Sequence, residues 1–593
     1  MPRLLPSSVA LIALLLAACQ TTPPVPDQVQ ESGARDRIEA GDYRAAGAEY
    51  ERLAGEKRAL RDHYRLLAAE AWREEAALDD VARLLATIER KKLDAGQNLR
   101  VDLLAAEIAL SKQQPGRAST LLAVDAARIP ESVRERWLEL QARAFRAEGR
   151  YVDASRTRLR LIALLPEHER RAVQRELLDL IVAEKPERLR ADLAALASDD
   201  ALRPWLERAL RAHGEAAPRA EINPGEVVGT MLAGHDGQMH REGFKSVKTL
   251  AVLLPVSGDY AAAGKAILDG VMSMHYQLGA AAVVQVYDAG GTRRSALDAY
   301  AQALADGVDA VLGPVERDQV DAILEASDGR VPLLALNHPE PKTIAADTSF
   351  RFGLLPEEEA ALAAERFIAE GAKRIAVFGT NEDWSERAMA TLDAQLRAHG
   401  GGISGRRMLR DSDVDFAESL VALIGTPGAA SRDADGIFIA VRASTARLLV
   451  PQLRAAGFLD LPVLATSHVF SGATQPLIDK DLDGLVFLDA PWPHGGGVGL
   501  PMRSELARDL AAAANSPRLF AFGMDAYQLL PYLDFLRAKP GRYVDGATGL
   551  LLSDAFGRIR RLPQLYRFVD GTPQAAIALR LVVEPAPETV PVP

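Results

Sequence analysis

A change of hydrophobic rhythm partway along this chain fixes what each part can become. From Ala34 to about His213, Ala, Leu, Arg and Glu recur at helical spacing, with glycine and proline kept to punctuation points. That spacing predicts an all-helical region. From Lys248 onward, short apolar runs alternate with amphipathic stretches, the pattern of a parallel sheet covered by helices on both faces. Between the two, Glu215 to Val247 hold Pro218, Pro224 and several glycines without a sustained period and read as a linker. A chain of 593 residues is several times the ~150-residue prior for one domain, so several folding units are expected.

Strands are predicted at Thr249 to Leu254, Val283 to Tyr287, Ala310 to Leu312, Val331 to Leu336, Arg374 to Phe378, Gly436 to Val441, Pro462 to Ala465 and Leu485 to Leu488. The principal helices between and after them are predicted at Ala261 to Leu278, Arg294 to Ala305, Arg317 to Ala326, Glu357 to Glu370, Glu386 to Ala398, Ser444 to Ala456 and Ala521 to Arg537.

The formal charge of -11 and the lack of a long Lys/Arg run deny the footprint that binding to a phosphate backbone needs, so nucleic acid is not expected as a partner. A single cysteine removes intramolecular disulfides, cysteine zinc sites and iron–sulfur clusters. Its position accounts for it. Met1 to Arg3 carry positive charge, Leu4 to Leu16 are mostly apolar, and Ala17 and Ala18 precede Cys19. So short an apolar run cannot cross a bilayer that needs ~20 residues, and it reads as a secretory segment, 1–18. Residues 19–33, with Pro23, Pro24 and Pro26, read as an extended tether.

Leu16-Ala17-Ala18-Cys19 resembles the bacterial lipobox. The resemblance implies that Cys19 is acylated and begins the mature chain, and Gln20 in place of Asp implies sorting to the outer membrane. Several acyl chains on one residue hold it there stably, at ~0.8 kcal/mol per buried methylene. In the helical region, 34–214, Glu39 to Ala46 recur in outline at Arg146 to Ala154 and more weakly at Gln114 to Ala118. The marker glycines are Gly41, Gly116 and Gly149, spaced as multiples of a period of about 34 to 38 residues. These features resemble tetratricopeptide repeats, which stack helix pairs around a shared core and commonly bind proteins.

The run Leu253-Leu254-Pro255-Val256-Ser257-Gly258-Asp259-Tyr260, continuing to Gly270, is strand, small-residue loop and helix. With Val311-Leu312-Gly313-Pro314 and Leu334-Ala335-Leu336-Asn337, it resembles the type I periplasmic solute-binding fold of amino-acid receptors. The match extends over Phe352 to Ala361 and Val377 to Arg387. With the lipobox and the helical half, this is closer to the LpoA family of penicillin-binding protein activators. That resemblance implies a two-lobed module over 248–581. It also implies a non-enzymatic outer-membrane lipoprotein that reaches through peptidoglycan to a bifunctional class A penicillin-binding protein and stimulates cell-wall synthesis.

A two-lobed fold implies an interlobe cleft, and the strand reading places Ser257, Tyr260, Asp288, Glu316, Asn337, His338, Asn381, Trp384, Arg442, Ser444 and His468 there. For an amino-acid ligand, Ser257 and Asn337 are candidates for the carboxylate and Asp288 or Glu316 for the ammonium. Asp288 reads equally as a solvated turn residue. The alternative function is a lipid-anchored solute receptor of an ABC transporter, against which the extra helical half weighs.

No cofactor or metal is expected. The chain lacks a Gly-x-Ser-x-Gly elbow and a His-Glu-x-x-His helix, and its ten histidines are scattered. Gly258 to Lys265 misses the phosphate-loop spacing by one residue, and Gly495 to Gly499 read as a flexible loop. Trp137, Trp384 and Trp492 read equally as interface anchors or as core. The Pro-rich tail, 582–593, is expected to be disordered.

Overall fold

The computed structural model describes residues 28–576 apart from 198, 216–230, 234–238, 340–342, 411, 427–431, 498–499 and 540. The predicted secretory segment, Cys19, the tether up to residue 27, most of the linker and the tail lie outside the described residues. The chain divides into two compact units after Leu164.

The first unit is a run of helix pairs: Gln28–Glu39 with Tyr43–Glu56, Arg61–Glu74 with Leu78–Leu85, Ala95–Ser111 with Pro115–Leu121, and Glu131–Ala147 with Tyr151–Ile162. Helix thus begins before Ala34, inside the stretch expected to be tether. Every pair is closed by the same turn. Gly41, Ala76, Gln113 and Gly149 each take positive φ, 76°, 56°, 57° and 72°. The following N–H then donates to the carbonyl five residues back: Asp42 to Arg37 (2.8 Å), Ala77 to Trp72 (3.0 Å), Gln114 to Ala109 (2.8 Å) and Arg150 to Phe145 (2.9 Å). This is the Schellman closure of a helix C-terminus.

The four turn positions recur at the predicted repeat length, but Gly116 is not one of them. It follows Pro115 inside the helix Pro115–Leu121, and Gln113 makes the turn. Tyr50, Tyr64, Leu66, Val81 and Leu104 bury their side chains in one cluster shared between neighbouring pairs, as repeat arrays require. Trp137 is core, its indole N–H donating to the Leu122 carbonyl at 3.1 Å.

The second unit starts earlier than the predicted boundary at 214. Helices Glu167–Val182, Pro186–Ala195 and Arg203–Ala212 belong to it. The reason is packing: Trp205 sets its ring edge-on to Phe556 (4.9 Å), Arg208 donates to the Thr343 carbonyl (2.5 Å), and Arg170 pairs with Asp347 (3.3 Å). The expected linker carries a small antiparallel ribbon of β1 (Met231–Ala233) and β2 (Met239–Arg241).

Two sheets follow. β3 (Thr249–Leu254), β4 (Val283–Asp288), β5 (Ala310–Leu312), β6 (Leu333–Ala335) and β7 (Ser349–Arg351) form a parallel sheet in the order β4-β3-β5-β6-β7. The second sheet is built on β8 (Arg374–Gly379), β9 (Gly402–Met408), β10 (Gly436–Ala440), β11 (Val463–Ala465) and β12 (Val486–Asp489), which run parallel. Late in the chain come β13 (Val544–Asp545), β14 (Leu550–Ser553), β15 (Ile559–Leu562), β16 (Gln564–Val569) and β17 (Thr572–Ala575). β13, β14 and β15 form a separate antiparallel sheet, while β16 and β17 complete the second sheet as β17-β16-β12-β11-β10-β8-β9.

All eight predicted strands are present to within two residues. The helix predicted from Ala521 to Arg537 starts at Pro517 and breaks at Leu530–Tyr532, where Pro531 has no N–H to continue the ladder.

The cores define two lobes. Leu250, Val252 and Leu254 pack with Phe350 and Phe352 but also with Phe520, Met524, Leu551 and Ile559 from far downstream, and Trp492 joins them. Ile375, Val377, Phe438 and Leu464 pack with Leu488 and Leu565. The chain therefore crosses between lobes three times, around Leu354, at Ala490–Pro491 and at Pro563. Inside the first lobe, helices Ala261–Gln277 and Pro517–Leu529 pack backbone to backbone: a Cβ added at Gly270 would lie 2.0 Å from the Phe520 carbonyl oxygen, and one at Gly523 2.0 Å from that of Ile267.

Two sets of substitutions test these arrangements by chemical denaturation. Gln113→Gly relieves a left-handed non-glycine residue and raises stability by about 0.5–1 kcal/mol. Gly270→Ala and Gly523→Ala each lower it by about 1–3 kcal/mol through overpacking, whereas Gly291→Ala, with nothing within 4 Å of its Cβ, shifts it by less than about 0.5 kcal/mol.

Candidate functional site: the interlobe clasp and its cavity

Several of the sequence-predicted cleft residues hold the loops at their own strand ends. After β3, the Ser257 hydroxyl donates to Asp288 at 2.6 Å, and the N–H groups of Val256 (3.1 Å) and Gly290 (2.9 Å) donate to the same carboxylate. The Ser257 hydroxyl foremost holds the Asp288 carboxyl below its ordinary range. Ser257 and Asp288 therefore satisfy each other, and Asp288 is the fastener of this turn. Asn337 is likewise engaged, donating to the Val315 carbonyl (2.8 Å) and accepting from the His338 N–H (2.9 Å). Burial holds the His338 imidazole well below its usual value, with Arg558 and Arg351 adding to the effect. Glu316 accepts from Gln319 at 3.2 Å, and burial pushes its carboxyl up. Tyr260 stays exposed.

In the second lobe, the ends of β8 and β10 are tied by an ion pair that sequence reasoning missed. The Arg442 Nε donates to both Glu382 oxygens at 3.0 Å. Asn381 beside it and Ser444 are exposed. Trp384 and His468 stack face to face, 3.7 Å between centroids and 7° between planes. Burial, with the nearby Arg518 and Arg442 charges, lowers the His468 imidazole to about 3, so it is neutral at physiological pH.

A buried ion pair lies where the chain crosses between lobes. Asp489, at the end of β12, is fully buried and takes two guanidinium bonds from Arg518, Nε and Nη2 both at 2.7 Å, as well as one from the Ala490 N–H at 2.8 Å. His494 Nε2 lies 2.9 Å away. Burial alone would raise this carboxyl, but the Arg518 charge and hydrogen bonds, with His494, outweigh it and hold the group far below its ordinary range. Arg518 belongs to the first lobe and Asp489 to the second. A second pair crosses beside it in the same sense: Arg561 of β15 donates to Glu359 at 3.0 Å, and Glu359 also accepts from the Ser467 N–H at 2.8 Å.

Between these pairs is a cavity of about 300 Å³ whose wall includes Glu359, Ser467, His468, Ser471, Arg518 and Arg561. The structure brings His468 of the predicted set to this cavity. Asp489, Arg518, Glu359 and Arg561 were not predicted; the only signal for them was Leu355 to Ala360, where Pro356 opens a helix with three glutamates, two of them in the buried interior.

Comparison with known proteins places this architecture. The model of the family described as "LppC putative lipoprotein" matches residues 50–217 and 242–571. The chain is similar to Vibrio cholerae penicillin-binding protein activator LpoA, 24% identical across 93% of this chain and 95% of that protein. The Photobacterium profundum protein of the same name is 25% identical over 71% of this chain and 74% of its own length. Among solved structures, full-length LpoA from Haemophilus influenzae aligns with a TM-score of 0.48 and 21% identity, covering 89% of this chain and 98% of that one.

Buried and exposed pairs should respond differently to truncation. Arg518→Ala strands the Asp489 charge and costs about 3–5 kcal/mol, whereas Arg442→Ala removes one arm of an exposed pair and costs less than about 1 kcal/mol; urea titration of the purified chain measures both.

Proposed function

Because the chain belongs to the LppC lipoprotein family, we propose that it is a lipid-anchored activator of a bifunctional class A penicillin-binding protein, acting by contact rather than by catalysis. In this reading Cys19 carries the lipid, the outer membrane holds it, and the body passes through peptidoglycan to reach the synthase. The observation that carries the reading is correspondence along nearly the whole chain, 93% of it, with relatives named as penicillin-binding protein activators. That correspondence spans both units of this chain rather than the two-lobed module alone.

Activation by contact needs little energy. A partner raises activity by binding the active state more tightly than the resting one, and ~1.4 kcal/mol of difference shifts the population tenfold. The four stacked helix pairs and the clasped double lobe supply rigid surfaces for such discrimination. The transporter-receptor reading loses support at the cleft mouth, because Ser257, Asp288 and Asn337, the groups proposed to hold an amino acid, are engaged with neighbouring protein groups.

Glycan polymerisation by the class A synthase of the same organism provides the test. Added at equimolar amounts, the chain increases the rate several-fold, and an unchanged rate overturns the proposal. In cells, Cys19→Ser moves the protein from the outer-membrane fraction to the soluble periplasm; retention of that variant in the membrane removes the anchoring part.

A further inference from the structure

We propose that the first lobe binds a small monovalent anion of halide size between Arg351, Arg558 and His338. None of the three lines the interlobe cavity, and the proposal stands whether or not the chain activates a synthase.

Strand register creates the site. Phe350 and Phe352 turn into the first-lobe core, so the alternation of an extended chain puts Arg351 and Gly353 on the opposite face. There Arg351 and Arg558, at the entry to β15, are direct neighbours across a parallel bridge, with the Arg351 N–H donating to the Gly557 carbonyl at 2.9 Å. Two guanidiniums set side by side in a poorly solvated place repel each other. His338 joins them from the chain after β6, its ring packed on Gly353, where an added Cβ would lie 3.1 Å from Cδ2.

Each of the three presents a donor with nothing to receive it. Arg351, only 6% exposed, gives Nη2 to the Phe556 carbonyl, but its Nε has no hydrogen-bond partner. Arg558 Nε and His338 Nε2 are also buried without a partner, and native structures rarely leave such groups unanswered. His338 is neutral, since burial foremost, with Arg558 and Arg351 next, holds the imidazole well below its usual value. With its one proton on Nε2, the ring is a third donor. A water molecule has two lone pairs and leaves one donor over, whereas an anion accepts all three.

Positive charge is in excess around these donors. Burial would raise the Asp554 carboxyl, but Arg211, Arg351 and Arg558 about it hold it below its ordinary range. Glu358 lies 3.8 Å from Arg558 Nη2, beyond hydrogen-bond reach, and is shared with Arg561 at 3.9 Å. Burial pushes the Arg351 guanidinium down to about 10 despite Asp554, with Arg558 and Arg211 adding to the push. A single added negative charge suits this small excess. It turns the repulsion between Arg351 and Arg558 into attraction and ties β7, the chain after β6 and the entry to β15 together.

Thermal unfolding of the full chain at constant ionic strength tests the proposal, with potassium gluconate, whose anion is too large for the site, replaced stepwise by potassium bromide. The midpoint is expected to rise with the logarithm of bromide concentration, as for a ligand bound only by the folded state. Arg558→Met removes the repulsion together with the donor: its midpoint matches or exceeds that of the unaltered chain in gluconate and no longer responds to bromide. His338→Phe keeps a ring but loses the donor, and needs about tenfold more bromide for the same rise. Crystals soaked in bromide give the position, as an anomalous peak within hydrogen-bond distance of Arg351 Nε, Arg558 Nε and His338 Nε2. Should Arg558→Met fold poorly, His338→Phe and that peak decide. No rise with bromide, a response undiminished in either folded variant, or bromide peaks only elsewhere overturns the proposal.

Discussion

A carboxylate sealed from water at the junction of two lobes is tolerable only when its charge is answered, and Asp489 is answered by a guanidinium that comes from the opposite lobe. Removing either partner leaves an unpaired buried charge, whereas surface pairs such as Arg442 with Glu382 carry little of the stability. The Arg561–Glu359 bond runs alongside with the donor again from the first lobe. Together they make the relative position of the lobes a matter of hydrogen-bond geometry, set by two planar cations, and the cavity between them inherits that definition.

The helical half rests on a different constraint. A helix pair can stack on the next only if each turn returns the chain at the same angle, and the repeated left-handed residue with its back-reaching N–H does this four times. Glycine fills two of those positions. Ala76 and Gln113 occupy the other two at a cost of about 1–2 kcal/mol each, and the conserved geometry despite the varied residue shows that the stacked core, not local preference, dictates the turn.

That variation explains which parts of the architecture were legible in the sequence. Period and strand–helix alternation gave the two fold classes and all eight predicted strands, because burial on both faces of a parallel sheet produces continuous apolar runs such as Leu250 to Leu254. The repeat was only half visible, since a glycine marker is silent where Ala76 or Gln113 does the same work, and Gly116 drew attention to the wrong residue. The boundary at 214 failed because Trp205 and Arg208 look like ordinary helix-face residues until Phe556, far along the chain, is seen beside them. At the site, the sequence reading reached only residues at strand ends, and the clasp was hidden: Asp489 and Arg518 meet only through the third dimension, and an isolated Asp or Arg in sequence carries no sign that it is buried.

In the proposed function this chain works by touching a synthase, with its lobes held in a defined relation. Photo-crosslinking in intact cells, with probes distributed over both units and captured proteins identified by mass spectrometry, addresses this most directly. A class A penicillin-binding protein should dominate the crosslinked partners, and recovery of a transport permease in its place, or of no cell-wall synthase at all, would contradict the account.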